Sequence, residues 1–335
     1  MVLLLPYGPL VDKLVERGCE FVDVPYDSHG LNPKEEYNLY RRYVRSFKEI
    51  KPDLVLSYTI KPNVYGGLAC RRLRIPYIVN ITGLGSALHG GGLMQKAVGF
   101  LYKLGIRGAR KIFFQNSADC RFMKLRNMIR NDYEIIPGSG VNTQHYKTDA
   151  YPADTTCEFV FISRVLTVKG AREYFAAATA LSQKYENVRF HICGQCDEEY
   201  EEQLRELCEK GIITYHGAVE DIRPILDRTH CTVLPSYFEG MANALLESAS
   251  YSRPVIATDV PGCRETFEDG VSGFSCTVRS AESLTRAMEK FLLLPYEEKR
   301  KMGEAGRAWV EARFDRKLVL KAYLDTIEEF EQNRK

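Results

Sequence analysis

Two tandem α/β domains, each a doubly wound parallel sheet, are predicted for this chain from three observations. Short apolar runs alternate with amphipathic stretches through both halves, the pattern of strands joined by helices on the two faces of a parallel sheet. A turn-rich polar segment, "PGSGVNTQHYKTDAYPADTT", interrupts that rhythm and reads as a linker. At 335 residues the chain is long enough for two cores of ordinary size. The predicted bounds are 1–150 and 151–315, with residues 316–335 forming an amphipathic last helix that packs back across the domain junction.

The first half reads in order as strand "MVLLL", helix "PLVDKLVERG" stopped by Gly18, and strand "EFVDVPY". A longer helix, "NPKEEYNLYRRYVRSFKEIKP", and strand "DLVLSYT" follow. Helix "NVYGGLACRRLRI", strand "PYIVNIT", helix "LMQKAVGFLYKLGIRGA", strand "KIFFQN" and helix "SADCRFMKLRNMI" complete the pattern before "YEIIPGSGVN" leaves through two glycines. The second half repeats it with strands "CEFVFISRV", "RFHICG", "ITYHGAV", "CTVLPS" and "PVIATDV", each expected to lead into a helical run.

Composition narrows the class. Hydrophobic residues make up 45% and charged residues 27%, ordinary for a globular protein. No run approaches the ~18 apolar residues of a spanning helix, and "MVLLLPYG" is too short and too weakly flanked for a signal peptide. Ten cysteines without framework spacing point to reduced thiols and a cytoplasmic setting. The lone C-x-x-C, Cys193 to Cys196, has no second pair at metal spacing and reads as ordinary strand-end cysteines. Six dispersed histidines suggest no metal site. Charge is uneven: 22 Lys and Arg against 13 Asp and Glu in residues 1–150, and 24 against 31 beyond. Residues 71–130 hold twelve basic residues and one acid, Asp119, which calls for an anionic partner.

The chemistry concentrates in the second half, because ligands of such sheets bind beyond the carboxyl ends of the strands. Ser163-Arg164, Gly194, Gly217 and Ser236–Glu239 all fall there. After "CEFVFI", Arg164 can fork onto two phosphate oxygens and Lys169 can act as a compact positive point. After "CTVLPS", Gly240 lets backbone approach a ligand, and the Met241, Ala242 and Asn243 amides are expected to face an anion at a helix start. Glu239 lies in that loop and Glu247 about two turns into the helix. Eight residues at ~100° leave them about 80° apart in azimuth, so they can border one cleft without sharing a face. A diphosphate flanked by two sugars fits this set, with the cations on the phosphates and one carboxylate on each diol.

"SRVLTVKG", "GAVEDIRPILDRTHCTVLPS" and "LPSYFEGMANALLESASYSRPVIATDVPGCRETFEDGVSGF" together resemble the donor half of the retaining family-4 glycosyltransferases of GT-B architecture. The resemblance implies Arg164 and Lys169 on the donor diphosphate, and Glu239 with the amides after Gly240 on the donor sugar. It also implies Glu247 on the ribose, Gly194 and Gly217 beside the nucleotide, and Arg164, Lys169 and Glu239 as the catalytic group. It implies retention of configuration without metal or cofactor.

"SYTIKPNVYGGLA", "PYIVNITGLGSAL", "KIFFQN" and "IIPGSGVNT" are similar to bacterial enzymes that extend lipid-diphosphate-linked saccharides for polysaccharide or glycan assembly. A UDP-sugar donor and a lipid-linked saccharide acceptor follow, with Thr59, Lys61, Asn63, Thr82, Gly83 and His89 on the acceptor side. Independently, Lys96, Lys103, Arg107, Arg110 and Lys111 alternate with Leu93, Val98, Phe100, Leu101 and Leu104. Residues 93–111 therefore read as a helix at an anionic membrane surface, the inner face of the plasma membrane. Nucleic acid is not expected, since no reading module accompanies the basic stretch. Two departures stand out. Gly83 occupies the turn where many family-4 enzymes carry a histidine, and the family's opening strand, Gly-loop and helix are expected to be missing. The alternatives are a non-catalytic or impaired partner subunit that binds nucleotide sugar, and a sugar-nucleotide 2-epimerase.

Overall fold

The computed structural model describes the chain apart from residues 9, 28–31, 85–91, 149 and 333–335, and apart from the side chains of 92–94. The described residues divide into two compact units, Met1–Phe114 with Asp119–Glu134, and Gln115–Ala118 with Ile135–Lys335.

In the first unit β1 (Val2–Leu5), α1 (Val11–Val15) and β2 (Glu20–Asp23) form a two-stranded parallel sheet with its crossover helix. Helix α2 (Pro33–Ile50) follows, capped by the Asn32 side chain, which accepts the Lys34 amide, with Pro33 in its first turn. It stops where Lys51 turns left-handed before Pro52. A four-stranded sheet has the order β3 (Val55–Tyr58), β4 (Tyr77–Ile81), β5 (Lys111–Phe114) and β6 (Tyr133–Ile135), with β3, β4 and β5 parallel. Strand β4 is buried along its whole length, as a central parallel strand covered on both faces should be. The helix expected from Asn63 opens instead as a π-helical turn, Pro62–Gly66, before α3 (Gly67–Leu73). Helices α4 (Gly92–Ile106) and α5 (Ser117–Leu125) flank β5.

The second unit is a six-stranded sheet in the order β12-β11-β10-β7-β8-β9, parallel throughout. Its strands are β7 (Cys157–Ile162), β8 (Val188–Cys193), β9 (Ile213–Tyr215), β10 (Cys231–Leu234), β11 (Val255–Thr258) and β12 (Gly273–Cys276). The helices are α6 (Ala171–Lys184), α7 (Glu198–Glu209), α8 (Arg223–Leu226), α9 (Asn243–Ser250), α10 (Ala281–Leu292), α11 (Tyr296–Arg313) and α12 (Arg316–Gln332). Phe159 and Phe190 stack at 5.7 Å in the core, with Phe291 edge-on to Phe159.

Three expectations are corrected. Strand β12 was not foreseen, because "GFSC" is short and follows two turn residues. No full helix follows β11; a 3-10 turn, Arg264–Thr266, stands there. Segment 135–150 sorts with the second unit rather than the first. Val141 bridges to Asp315, and Gly140 lies against Arg316 closely enough that a Cβ would come within 2.6 Å of its Cα. Helix α12 belongs to that second unit too.

Candidate active site

In the six-stranded sheet the strand order reverses between β7 and β10, which are neighbours although two strands intervene in sequence. Such a switch point opens a crevice beyond the carboxyl ends of the two strands. The β7–α6 loop carries Arg164 and Lys169, and the β10–α9 loop carries Glu239 and Gly240. Both loops flank that crevice, and backbone ties them together: the Tyr237 amide donates to the Val168 carbonyl at 2.9 Å. Gly170, at φ +79°, abuts Pro235 so closely that a Cβ would lie 2.3 Å from the Pro235 carbonyl oxygen.

Lys169 Nζ donates to Glu239 Oε1 at 2.5 Å, and Ser236 Oγ donates to the same oxygen at 2.8 Å. Ser236 is fully buried, and its own carbonyl accepts from Thr258 Oγ1 at 2.5 Å. The predicted cation and the predicted carboxylate are thus each other's partners, on a scaffold of three strand ends. Arg164 is exposed and makes no hydrogen bond or ion pair among the described residues. Its backbone is fixed by Gly194, which has φ +148° and sits where a Cβ would come within 2.0 Å of the Ser163 carbonyl oxygen. The Gly194 amide in turn donates to the Gly217 carbonyl at 2.8 Å, so three loops at the ends of β7, β8 and β9 are joined.

Of the three amides expected to face an anion, two have backbone acceptors. Ala242 donates to Gly262 at 2.8 Å and Asn243 to Met241 at 3.1 Å. The cause is the close packing of "PGC" against Glu239: a Cβ on Gly262 would meet the Glu239 carbonyl oxygen at 2.5 Å. Asn116 Nδ2 donates to the Gly240 carbonyl at 2.7 Å, fixing the other side of that turn. Helix α9 begins at Asn243, so Glu247 opens its second turn rather than lying two turns in. Burial raises the Glu247 carboxyl above the usual range, opposed by the Tyr146 hydroxyl that donates to it and by the Arg316 charge. Burial, and then the Glu247 charge, push the Tyr146 phenol up to about 12. Tyr146 is itself held by its carbonyl, which accepts from Ser250 Oγ at 2.7 Å and Arg307 Nη1 at 3.0 Å.

The first unit sorts its expected residues differently. Thr59 takes φ +66° after the end of β3, a strained conformation for a β-branched residue, three residues before the π-helical turn begins at Pro62. Lys61 is bonded to Glu36, both side chains being 11% exposed. Asn63 is a correction. It is fully buried, and its amide donates to the Asn80 carbonyl at 2.9 Å and the Tyr102 hydroxyl at 3.1 Å, so it holds the core. Thr82 and Gly83, the latter at φ +139°, follow β4. His89 lies outside the described residues. Along α4, Lys96, Phe100 and Leu101 are exposed, as are Arg107 and Arg110 in the turn after it, but Lys111 is taken by Asp132 at 3.0 Å and Glu134 at 3.2 Å. No helix among the described residues is long and apolar enough to cross a membrane, and they contain no group of three or more His, Cys, Asp or Glu that could hold a metal. All ten cysteines are free.

Sequence reading placed Ser236 beyond a strand end without its bond to Glu239, and missed Thr258, Gly262, Asn116 and Tyr146. Thr258, Gly262 and Asn116 stand inside quoted motifs, so adjacency could have flagged them. Tyr146 was hidden in a segment read only as linker.

Comparison with known proteins shows the family and the fold. Residues 147–309 match the family described as "Glycosyl transferases group 1", and residues 2–116 match "Glycosyl transferase 4-like". The chain is 26% identical, over 96% of its length and 89% of the relative's, to a Campylobacter jejuni protein named N,N'-diacetylbacillosaminyl-diphospho-undecaprenol alpha-1,3-N-acetylgalactosaminyltransferase. HepE from Anabaena, solved in complex with UDP and glucose, superposes with a TM-score of 0.80 at 18% identity over 98% of this chain and 91% of that one. A sucrose-phosphate synthase from Thermosynechococcus elongatus superposes with a TM-score of 0.75 at 16% identity over 99% of both chains. The chain belongs to the family-4, group 1 glycosyltransferases of GT-B fold.

Proposed function

We propose that this enzyme transfers a sugar from a nucleotide diphosphate donor, a UDP-sugar, to a lipid-diphosphate-linked saccharide, retaining the donor's anomeric configuration. The Lys169–Glu239 pair at the sheet's switch point carries the reading. Arg164 and Lys169 take the diphosphate, Glu239 takes the transferred sugar, and Glu247 takes the ribose. As the bond between C1 and the diphosphate oxygen breaks, the cations hold the growing charge on the leaving group. An acceptor hydroxyl forms the new bond at C1 on the same face and gives its proton to the departing phosphate. No metal or cofactor enters this scheme. The Campylobacter relative's name supplies the acceptor class, and the Anabaena complex supports the uridine donor. Exposed Phe100 and Leu101 on basic α4 support a peripheral seat on an anionic membrane, the inner face of the plasma membrane.

The experiment is incubation with a panel of UDP-sugars and a lipid-linked acceptor, followed by mass spectrometry of the lipid fraction and NMR of the new anomeric centre. A mass gain of one hexose or N-acetylhexosamine, with an α-product from an α-donor and no loss on adding chelator, is expected. A lipid fraction unchanged by every UDP-sugar rejects the reading.

A further inference from the structure

The first unit builds a second basic site at the amino ends of its strands, the end of the sheet remote from Thr59 and Thr82. Strand β4 runs from Tyr77 to Ile81, with Thr82 beyond its carboxyl end; this site lies beside its start, roughly 15 Å away at ~3.3 Å per residue. It is a pocket of about 510 Å³ that includes Arg71, Arg74, Tyr77, Arg107, Arg110 and Asn131 in its lining and no acidic residue. Arg71 comes from the last turn of α3, and Arg74 is its left-handed cap at φ 58°. Arg107 and Arg110 come from the turn between α4 and β5.

The walls are fixed without any ligand. The Tyr77 hydroxyl donates to the Gly105 carbonyl at 2.6 Å and accepts the Gly108 amide at 3.0 Å. Asn131 Nδ2 donates to the Arg107 carbonyl at 3.1 Å and the Ala109 carbonyl at 2.7 Å. Arg71 Nη1 donates to the Leu104 carbonyl at 2.8 Å, and its stem lies over Gly108, where a Cβ would meet Cγ at 2.9 Å. None of the four guanidiniums is ion-paired with a carboxylate among the described residues, whereas Lys111, the next cation along the chain, has both Asp132 and Glu134. Four like charges around one cavity repel each other unless an anion joins them.

We propose that this pocket binds a phosphate or diphosphate group other than the one that reacts, its guanidinium forks matching phosphate oxygens. The group belongs either to an anionic lipid headgroup or to a free phosphate. Exposed Lys96 and Phe100 lie one turn apart on α4, and Arg107 follows directly after the helix end.

The test compares Arg74→Ala/Arg110→Ala with Lys96→Ala/Lys103→Ala, which removes equal charge outside the pocket. Calorimetry with inorganic pyrophosphate is run in an Arg164→Ala/Lys169→Ala background, so that the donor loops contribute nothing and failure of the donor reading leaves this result standing. Sedimentation uses phosphatidylcholine vesicles with and without phosphatidylglycerol. The arginine pair is expected to weaken pyrophosphate binding by about tenfold or more, and the lysine pair to leave it unchanged. Loss of phosphatidylglycerol-dependent sedimentation in the arginine pair, reversed in the parent by pyrophosphate, assigns the lipid source; unchanged sedimentation assigns the free one. No pyrophosphate binding, or equal loss in both pairs, overturns the proposal. Should the alanine pair fail to fold, Arg74→Lys/Arg110→Lys keeps the charge and removes the forks, and a weakened affinity is again required.

Discussion

Lys169 Nζ lies 2.5 Å from Glu239 Oε1, seventy residues away in sequence. The two charges neutralise each other across the switch point. On the proposed function, a diphosphate entering the crevice would take the ammonium and a sugar hydroxyl would take the carboxylate, exchanging one set of partners for another. Lys169→Ala is therefore expected to lower kcat by about 100-fold or more, with a smaller change in donor affinity, because the charge acts mainly as the leaving group develops. Steady-state kinetics with varied donor separates the two. A rise in KM at unchanged kcat would place Lys169 in ground-state binding alone.

The raised carboxyl of Glu247 has a consequence for stability as well as binding. Its folded pKa lies above its unfolded value, so its stabilising contribution is fully present below the unfolded carboxyl pKa of ~4.3 and is lost as pH rises through the folded value. Glu247→Gln mimics the protonated form at every pH. Its melting temperature should match the parent's in acid and exceed it at neutral pH, while Glu247→Ala, which removes the acceptor altogether, should lower UDP affinity by roughly 5- to 150-fold. Melting curves of the parent and the glutamine variant at acid and neutral pH, and UDP titrations of the parent and the alanine variant, decide it. Equal UDP affinity would remove Glu247 from the ribose.

The sheets and the placement of Arg164, Lys169, Glu239 and Gly194 were legible because parallel strands buried on both faces write themselves as apolar runs, and ligand loops follow their ends. Partnerships were less legible. That Ser236 and Lys169 share one oxygen of Glu239, or that Tyr146 reaches Glu247, depends on segments brought together by the fold. Asn63 shows the opposite failure. It stands in a motif rich in ligand-binding residue types, and only burial reveals that its amide serves the core.

Two glycines in the loops after β8 and β9 should respond unequally to alanine. At Gly194 a Cβ would lie 2.0 Å from the Ser163 carbonyl oxygen, at a φ of +148° that side chains rarely adopt. Gly194→Ala should cost at least about 3 kcal/mol and displace the Arg164 loop. Gly217 has φ +68° with nothing within 4 Å of an added Cβ, so Gly217→Ala should cost only ~1–2 kcal/mol. Denaturant titration of the two variants checks the order; comparable losses would mean the Gly194–Ser163 approach is not tight.

Asn63 separates structure from acceptor recognition within one motif. Its amide bonds the Asn80 carbonyl and the Tyr102 hydroxyl, in a place with no solvent exposure. Truncation leaves the buried Tyr102 hydroxyl without this partner, so Asn63→Ala should destabilise the protein by about 2–3 kcal/mol. Acceptor KM, measured well below the melting temperature, should stay within about twofold of the parent, since a difference of ~0.4 kcal/mol is all that an indirect effect on a neighbouring loop requires. An unchanged melting temperature together with a raised acceptor KM would return Asn63 to the acceptor site.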